Sequence, residues 1–278
     1  MVQDTSELTR LLLSAVTGLI VIAGATLDLY LAFRFQRRSV LFTLPAHDEL
    51  RERPLTFVQA LPVLSVTLLF AVLSLFQETT ADAPPELSLV LGPIFYALTG
   101  LLVVSLGLFL ANTTFRAAFS SDRCTTGRAL RKGVLYGLAV IPPVILLSHL
   151  IGVCAEELGL DPRPQEVFDW LSDGSVSTGT RLFLMFAATV IAPIVEETLF
   201  RGVLFPALLK NRAFVSAALL TALYFALVHF HAPSFLPLLA LSVAFSAAYA
   251  STGSLLTPII MHALFNTTSI LLYLVFTV

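Results

Sequence analysis

Long apolar runs, broken by short polar connections, dominate the chain. A helix needs about 20 such residues to cross roughly 30 Å of hydrocarbon at 1.5 Å per residue. By that measure eight helices are predicted, at about 8–33, 55–76, 87–111, 133–153, 181–209, 213–230, 235–250 and 255–278. The fifth is over-long and the seventh short. The expected fold is all-α, a polytopic transmembrane helical bundle of about eight spans. The first run opens MVQDTSELTR, without a basic segment before it or a small-residue cleavage site after it, so it reads as a span and not a signal peptide.

The connections alternate in charge. Arg34, Arg37, Arg38, Arg51 and Arg53 follow the first run, and Arg116, Arg123, Arg128, Arg131 and Lys132 follow the third. Lys210 and Arg212 follow the fifth. By contrast, QETTADAPPE after the second run and CAEELGLDPRPQEVFDWLSDG after the fourth are acidic. The positive-inside bias puts the connections after odd-numbered runs in the cytoplasm and both termini outside. Phe168 and Trp170, in the long acidic connection, are expected to pack on helix ends.

Composition agrees with a membrane protein. Hydrophobic residues make up 57% of the chain and charged ones 12%, where soluble domains run at about 45–50% and 25%. Mean hydropathy is +0.89. A net charge of −2 excludes a nucleic-acid binder working by phosphate neutralisation. Cys124 and Cys154 stand far apart and alone, which excludes a disulfide scaffold and a thiolate zinc site. Arginine outnumbers lysine fourteen to two, which hints at a GC-rich genome; the expected location is a prokaryotic cell membrane.

In such a chain the informative residues are the ionisable ones inside spans, each costing roughly 2.5–3.5 kcal/mol near a helix centre. There are seven: Asp28, His149, Glu196, Glu197, Arg201, His229 and His262, five of them between 196 and 262. Glu197 and Arg201 are i,i+4 on one helix face and can pair. Glu196 points about 100° away, so one carboxylate is neutralised while its neighbour stays free for chemistry. Pro193 leaves a backbone carbonyl unpaired nearby. Phe225 and His229 share a face of the sixth run, and His262 and Asn266 a face of the eighth. An ion pair or an interhelical hydrogen bond that merely holds helices together is the alternative for each taken singly. His231 fits an interfacial reading better than His229 does.

Together these blocks, EETLFR, FALVH and HALFN, resemble the EExxxR, FxxxH and HxxxN signatures of the CPBP family. These are the CAAX-protease and bacteriocin-processing (Abi) intramembrane proteases, of which the type II CAAX prenyl proteases are part. The resemblance covers about 181–275. The Arg-rich 112–132 connection is the expected boundary between 1–130, N-terminal transmembrane helices of no assigned role, and 131–278, a protease core containing the three blocks.

The resemblance implies hydrolysis of a peptide bond in a membrane-embedded or lipid-anchored protein or peptide at the bilayer. Glu196 and His229 would activate water, Glu197 and Arg201 would support them with Phe225, and His262 and Asn266 would stabilise the oxyanion. A carboxylate held away from bulk water suits the base such a step requires. A metal-free glutamate mechanism is favoured. Glu196, His229 and His262 form the alternative zinc set, with no HExxH present. No GxSxG elbow supports a serine route. Rival readings are a non-proteolytic membrane scaffold of the same family and a proton-coupled transporter. A prenylated C-terminus, a bacteriocin leader and a membrane regulator all stand as candidate substrates.

Overall fold

The computed structural model describes residues 2–37, 44–77, 86–121, 123–159 and 165–277, the side chains of 2–10, 31–37, 74–77, 166 and 277 excepted. Among them every regular element is helical, which bears out the all-α, polytopic expectation. In chain order the helices are α1 (Val2–Arg37), α2 (His47–Arg51), α3 (Phe57–Gln77), α4 (Glu86–Leu110), α5 (Phe115–Phe119), α6 (Thr126–Glu157) and α7 (Glu166–Ser172). There follow α8 (Thr178–Phe186), α9 (Ala192–Glu197), α10 (Phe205–Leu209), α11 (Phe214–Leu227), α12 (Phe235–Thr252) and α13 (Leu256–Thr277). Two π-helical segments, Ala187–Ile191 and Thr198–Leu204, weld α8, α9 and α10 into one rod over Thr178–Leu209.

All eight predicted apolar runs are helical rods, but they are not equal. Six are long and apolar enough to cross a membrane: α1, α4, α6, the α8–α10 rod, α12 with its 3-10 entry turn at Ala232–Ser234, and α13. The apolar part of α3 (Phe57–Leu73) and α11 are shorter. The fourth rod begins earlier than its apolar run because polar residues continue it. There the side chain of Thr125 caps α6 by accepting from the backbone N–H of Arg128. Arg34, Arg37, Arg38, most of the acidic 77–86 segment and part of the 155–178 connection lie outside the described side chains.

Polar contacts tie the connections into two opposite ends. At one, the backbone N–H of Ala46 donates to Ala250 O at 3.0 Å, and Arg53 reaches both Glu49 Oε1 (3.0 Å) and Gly253 O (3.2 Å). Arg51 donates to Lys210 O at 3.2 Å and Lys132 to Ser251 O at 3.4 Å. This is the basic end. At the acidic end, Glu86 accepts from the N–H of Ser177 (2.6 Å) and the hydroxyl of Thr180 (3.0 Å), holding the start of α4 against the start of α8. Gln165 donates to Ser234 Oγ at 3.3 Å there.

The main apolar core sits in the half nearer the basic end, around Phe119, Phe200, Phe205, Phe225 and Tyr249. Outward-facing side chains such as Leu102 (67% exposed) and Phe109 (80%) are apolar, as lipid-facing positions are. α6 lies directly on α13 because Gly133 and Gly137, one turn apart, have no side chain. A Cβ on Gly133 would stand 2.9 Å from Thr257 O, a small-residue contact of the membrane type. This is a multi-pass membrane protein.

Candidate active site

The α8–α10 rod carries the two glutamates at its broken centre. Pro193 has no N–H, so a five-residue π register cannot close a bond from residue 193 onto Ala188. The side-chain amide of Asn266 supplies the donor instead, Nδ2 to Ala188 O at 2.8 Å. The HxxxN asparagine thus staples α13 to the weakened turn. Between the two π segments the short α9 presents Glu196 and Glu197 to different surroundings.

Glu197 is wholly buried and its Oε1 accepts twice, from Arg201 Nη1 (3.1 Å) and His262 Nδ1 (2.9 Å). Arg201 is equally buried, and its Nη2 donates to the backbone carbonyl of Ser242 at 2.9 Å and to that residue's hydroxyl. Its guanidinium lies between the rings of Phe225 (4.9 Å) and Phe245 (5.1 Å). Phe245 also stacks on His262, centroids 5.2 Å apart and 28° between planes. A cation in an apolar interior is tolerable only with this degree of pairing and hydrogen bonding.

Glu196 turns the other way. Its side chain keeps 15% exposure, and His262 Nε2 stands 4.0 Å from its Oε2. That oxygen accepts no hydrogen bond from the described residues.

The sequence placed His229 inside the sixth span, and the structure corrects this: α11 stops at Leu227 and His229 lies on the following turn. The reason is length. Fourteen residues rise only about 21 Å, some 9 Å less than a full crossing, so the turn is sunk into the bundle. Non-helical backbone at that depth is tolerated where protein encloses it or it lines a cavity. Phe230 adopts φ 45° there, a conformation that side-chain-bearing residues rarely hold outside sites that require it. The carbonyl of Phe225 accepts from His229 Nδ1 at 2.6 Å, which fixes that tautomer and leaves Nε2 as the acceptor.

Glu196, His229, His262 and Asn266 all line one cavity of about 530 Å³, within the usual range for small-molecule and peptide sites. The sunken turn is what brings together helix positions that a uniform-span picture leaves apart. Phe225 lies behind the cavity, against Arg201 and His229 (4.6 Å), and Glu197 and Arg201 lie behind it as well.

Residues 178–268 match the family model for type II CAAX prenyl endopeptidase Rce1-like proteins. This third of the chain is Rce1-like. The family recognised from the three sequence blocks is therefore the one the family model identifies. The chain is 30% identical over 91 residues to YdiL of Bacillus subtilis (strain 168), named as a candidate membrane peptidase, covering 33% of this chain and 37% of that one. It is 40% identical over 89 residues to the membrane-embedded CAAX protease MroQ of Staphylococcus aureus (strain USA300), covering 30% of this chain and 36% of that one. The chain spans little more than a third of the length of these curated relatives. No solved structure matches it.

Around the cavity stand residues the sequence did not single out. Ser242 and Phe245 come from α12, and Tyr96 from α4 lines the cavity, although both runs lack ionisable groups. His231, given an interfacial reading, also lines the cavity and is bonded through Nδ1 to Ser234 Oγ at 2.7 Å. Asp28 and His149 are not among the cavity residues. Among the described residues no three His, Cys, Asp or Glu side chains stand together at metal-binding spacing, Glu196, His229 and His262 included. Cys124 belongs to the basic end and Cys154 is exposed near the end of α6.

Proposed function

We propose that the protein is an intramembrane endopeptidase of the CAAX type, hydrolysing a peptide bond of a membrane-associated protein or peptide with a glutamate-activated water. The observation that carries this reading is Glu196: a partly exposed carboxylate lining the cavity with an oxygen that no described protein group satisfies, beside a second carboxylate that is wholly buried behind the cavity and held through Oε1 by Arg201 and His262. A carboxylate so placed takes a proton from water, and His229 Nε2, its tautomer set by the Phe225 carbonyl, accepts a hydrogen bond from the same water. The Nδ1–H of His262 is given to Glu197. In its doubly protonated form His262 also offers Nε2–H to the oxyanion of the tetrahedral intermediate. Asn266 holds the π turn through one amide hydrogen and has a second for the oxyanion. Glu197, with Arg201 behind it, orients His262 as a carboxylate orients a catalytic imidazole elsewhere. No step in this scheme draws on a cofactor.

The test is substrate trapping. A Glu196→Gln chain, isosteric and without a base, should retain membrane proteins that the unmodified chain releases as fragments, identified by mass spectrometry of what stays bound. Retention of the same proteins, uncut, by the unmodified chain would mark a scaffold and sink the proteolytic reading.

A further inference from the structure

On the proteolytic reading of the cavity, we propose that the site takes its substrate from the extracytoplasmic side: a membrane-anchored polypeptide whose scissile segment lies outside the cytoplasm. The argument joins two independent observations, where the cavity opens and where the positive charges are.

Apart from Glu196 and His262 at mid-bundle, the walls of the cavity come from the half of the bundle at the acidic end. Gly92 and Tyr96 belong to the first half of α4, which starts at that end, and Ser148 to the second half of α6, which finishes there. Phe168 and Trp170 come from α7 in the long acidic connection, His231 from the sunken turn. The opposite path is shut. Between Glu196 and the basic end lie Glu197 and Arg201, both without exposure, and the packed rings of Phe200, Phe205 and Tyr249. A segment approaching along the bundle axis therefore reaches Glu196 from the acidic end.

Counted along the sequence, the connections of the basic end, from Arg34 to Arg53, Arg116 to Lys132 and Lys210 to Arg212, hold twelve of the sixteen lysines and arginines. The other connections hold, along the sequence, Arg10, Arg163 and Arg181, and Arg181 is tied back to the carbonyls of Asp173 (2.7 Å) and Val176 (3.0 Å). Lysine and arginine in short connections set orientation and acidic residues add little. A fourfold excess at one end is a strong bias, and it puts the basic end in the cytoplasm. The cavity mouth then faces outward, so a cytoplasmic lipid-anchored C-terminus meets the closed face of the protein. An exported or outward-facing membrane polypeptide meets Phe168, Trp170 and the open side of Glu196.

Thiol labelling tests the mouth independently of activity. In a Cys124→Ser, Cys154→Ser full-length chain, Ser175→Cys places a thiol at the exposed acidic end and Arg212→Cys one at the exposed basic end. A membrane-impermeant maleimide applied to intact bacterial cells should label Ser175→Cys at least tenfold more than Arg212→Cys, with both equal after lysis. Cys154, retained alone in a Cys124→Ser chain, gives a second report if an introduced thiol disturbs folding. The opposite pattern, or equal labelling of both in intact cells, overturns the proposal.

A second arm maps the N-termini of fragments that vanish in the Glu196→Gln chain. Cuts in extracytoplasmic or outer-leaflet segments are expected, and cuts in cytoplasmic segments overturn the proposal whatever the labelling. Outward labelling with no Glu196-dependent fragment at all instead removes the proteolytic reading, and the substrate proposal with it, while the outward mouth stands.

Discussion

Glu196 and Glu197 are consecutive residues on the boundary between two unlike halves of the bundle. On the Glu197 side the protein is closed: acid, arginine and histidine are joined through Glu197 Oε1 and buried among Phe225, Phe245 and Ser242. On the Glu196 side it is open, with a cavity, a sunken turn and a carboxylate that keeps 15% exposure. The difference teaches why the motif needs two acids. A lone carboxylate could not both fix the imidazole of His262 and remain free for water. Splitting the tasks between neighbours about 100° apart on a helix lets one be buried and ion-paired while the other faces the cavity.

The sharpest way to break the comparison is to neutralise the open acid alone. Glu196→Gln should lower cleavage by about 10²–10⁴-fold, the usual worth of a positioned general base. Its melting temperature in detergent should match that of the unmodified chain, because no described group hydrogen-bonds the free oxygen. Cleavage within a few-fold of normal would move the base elsewhere. The closed side should behave in the opposite way. Arg201→Ala strands Glu197 in an apolar interior, which for a broken buried pair costs about 3–5 kcal/mol. That should appear first as a lower melting temperature and yield, with activity lost as a consequence. A fully stable but inactive Arg201→Ala protein would mean that the arginine serves chemistry and not the closed half.

Glycines give a gentler probe of the same contrast. A Cβ on Gly202 would stand 2.8 Å from Phe119 Cε1 and 3.3 Å from Leu255 Cδ1, in the closed half, whereas on Gly92 at the cavity it would meet nothing within 4 Å. Gly202→Ala should destabilise by about 1–3 kcal/mol through overpacking. Gly92→Ala should be neutral, or stabilising by up to about 1 kcal/mol through helix propensity. Equal melting temperatures for the two variants would show that the halves are not packed differently.

How much of this could be read in the sequence follows from what carries a signal there. Apolar runs are dictated by the bilayer, so all eight rods were visible, and charges in such runs are costly enough to mark Glu196, Glu197, Arg201 and His262. The Glu197–Arg201 pair needed only i,i+4 spacing. Ser242, Phe245 and Tyr96 were invisible because serine and aromatic residues are ordinary in apolar helices; only tertiary packing assigns them to Arg201, His262 and the cavity. The end of α11 was misplaced for a related reason. The turn carrying His229 continues the apolar run through Val228 and Phe230, so hydropathy does not stop at Leu227. The first π segment, Ala187–Ile191, likewise involves Pro193 together with the distant amide of Asn266, a partnership no local pattern contains.

The smallest expected effect is none, and it concerns metal. The imidazole Nδ1 atoms of both histidines are already committed, one to the Phe225 carbonyl and one to Glu197, while Glu196 stands 4.0 Å from His262 Nε2. A base-and-donor site needs nothing more, so strong chelators should leave the cleavage rate unchanged and purified protein should hold well under one metal per chain. Under the same reading His262→Gln keeps an N–H near the position of Nε2 but loses the bond to Glu197, so it should retain partial activity. Zinc held by Glu196, His229 and His262 predicts otherwise at each point, since a neutral amide is a poor zinc ligand. In that case chelation abolishes cleavage, added zinc restores it, and the glutamine variant loses metal and activity together. Chelator-sensitive cleavage rescued by zinc at one metal per chain would replace the glutamate-activated water with a metal-bound one and recast Glu196 as a ligand.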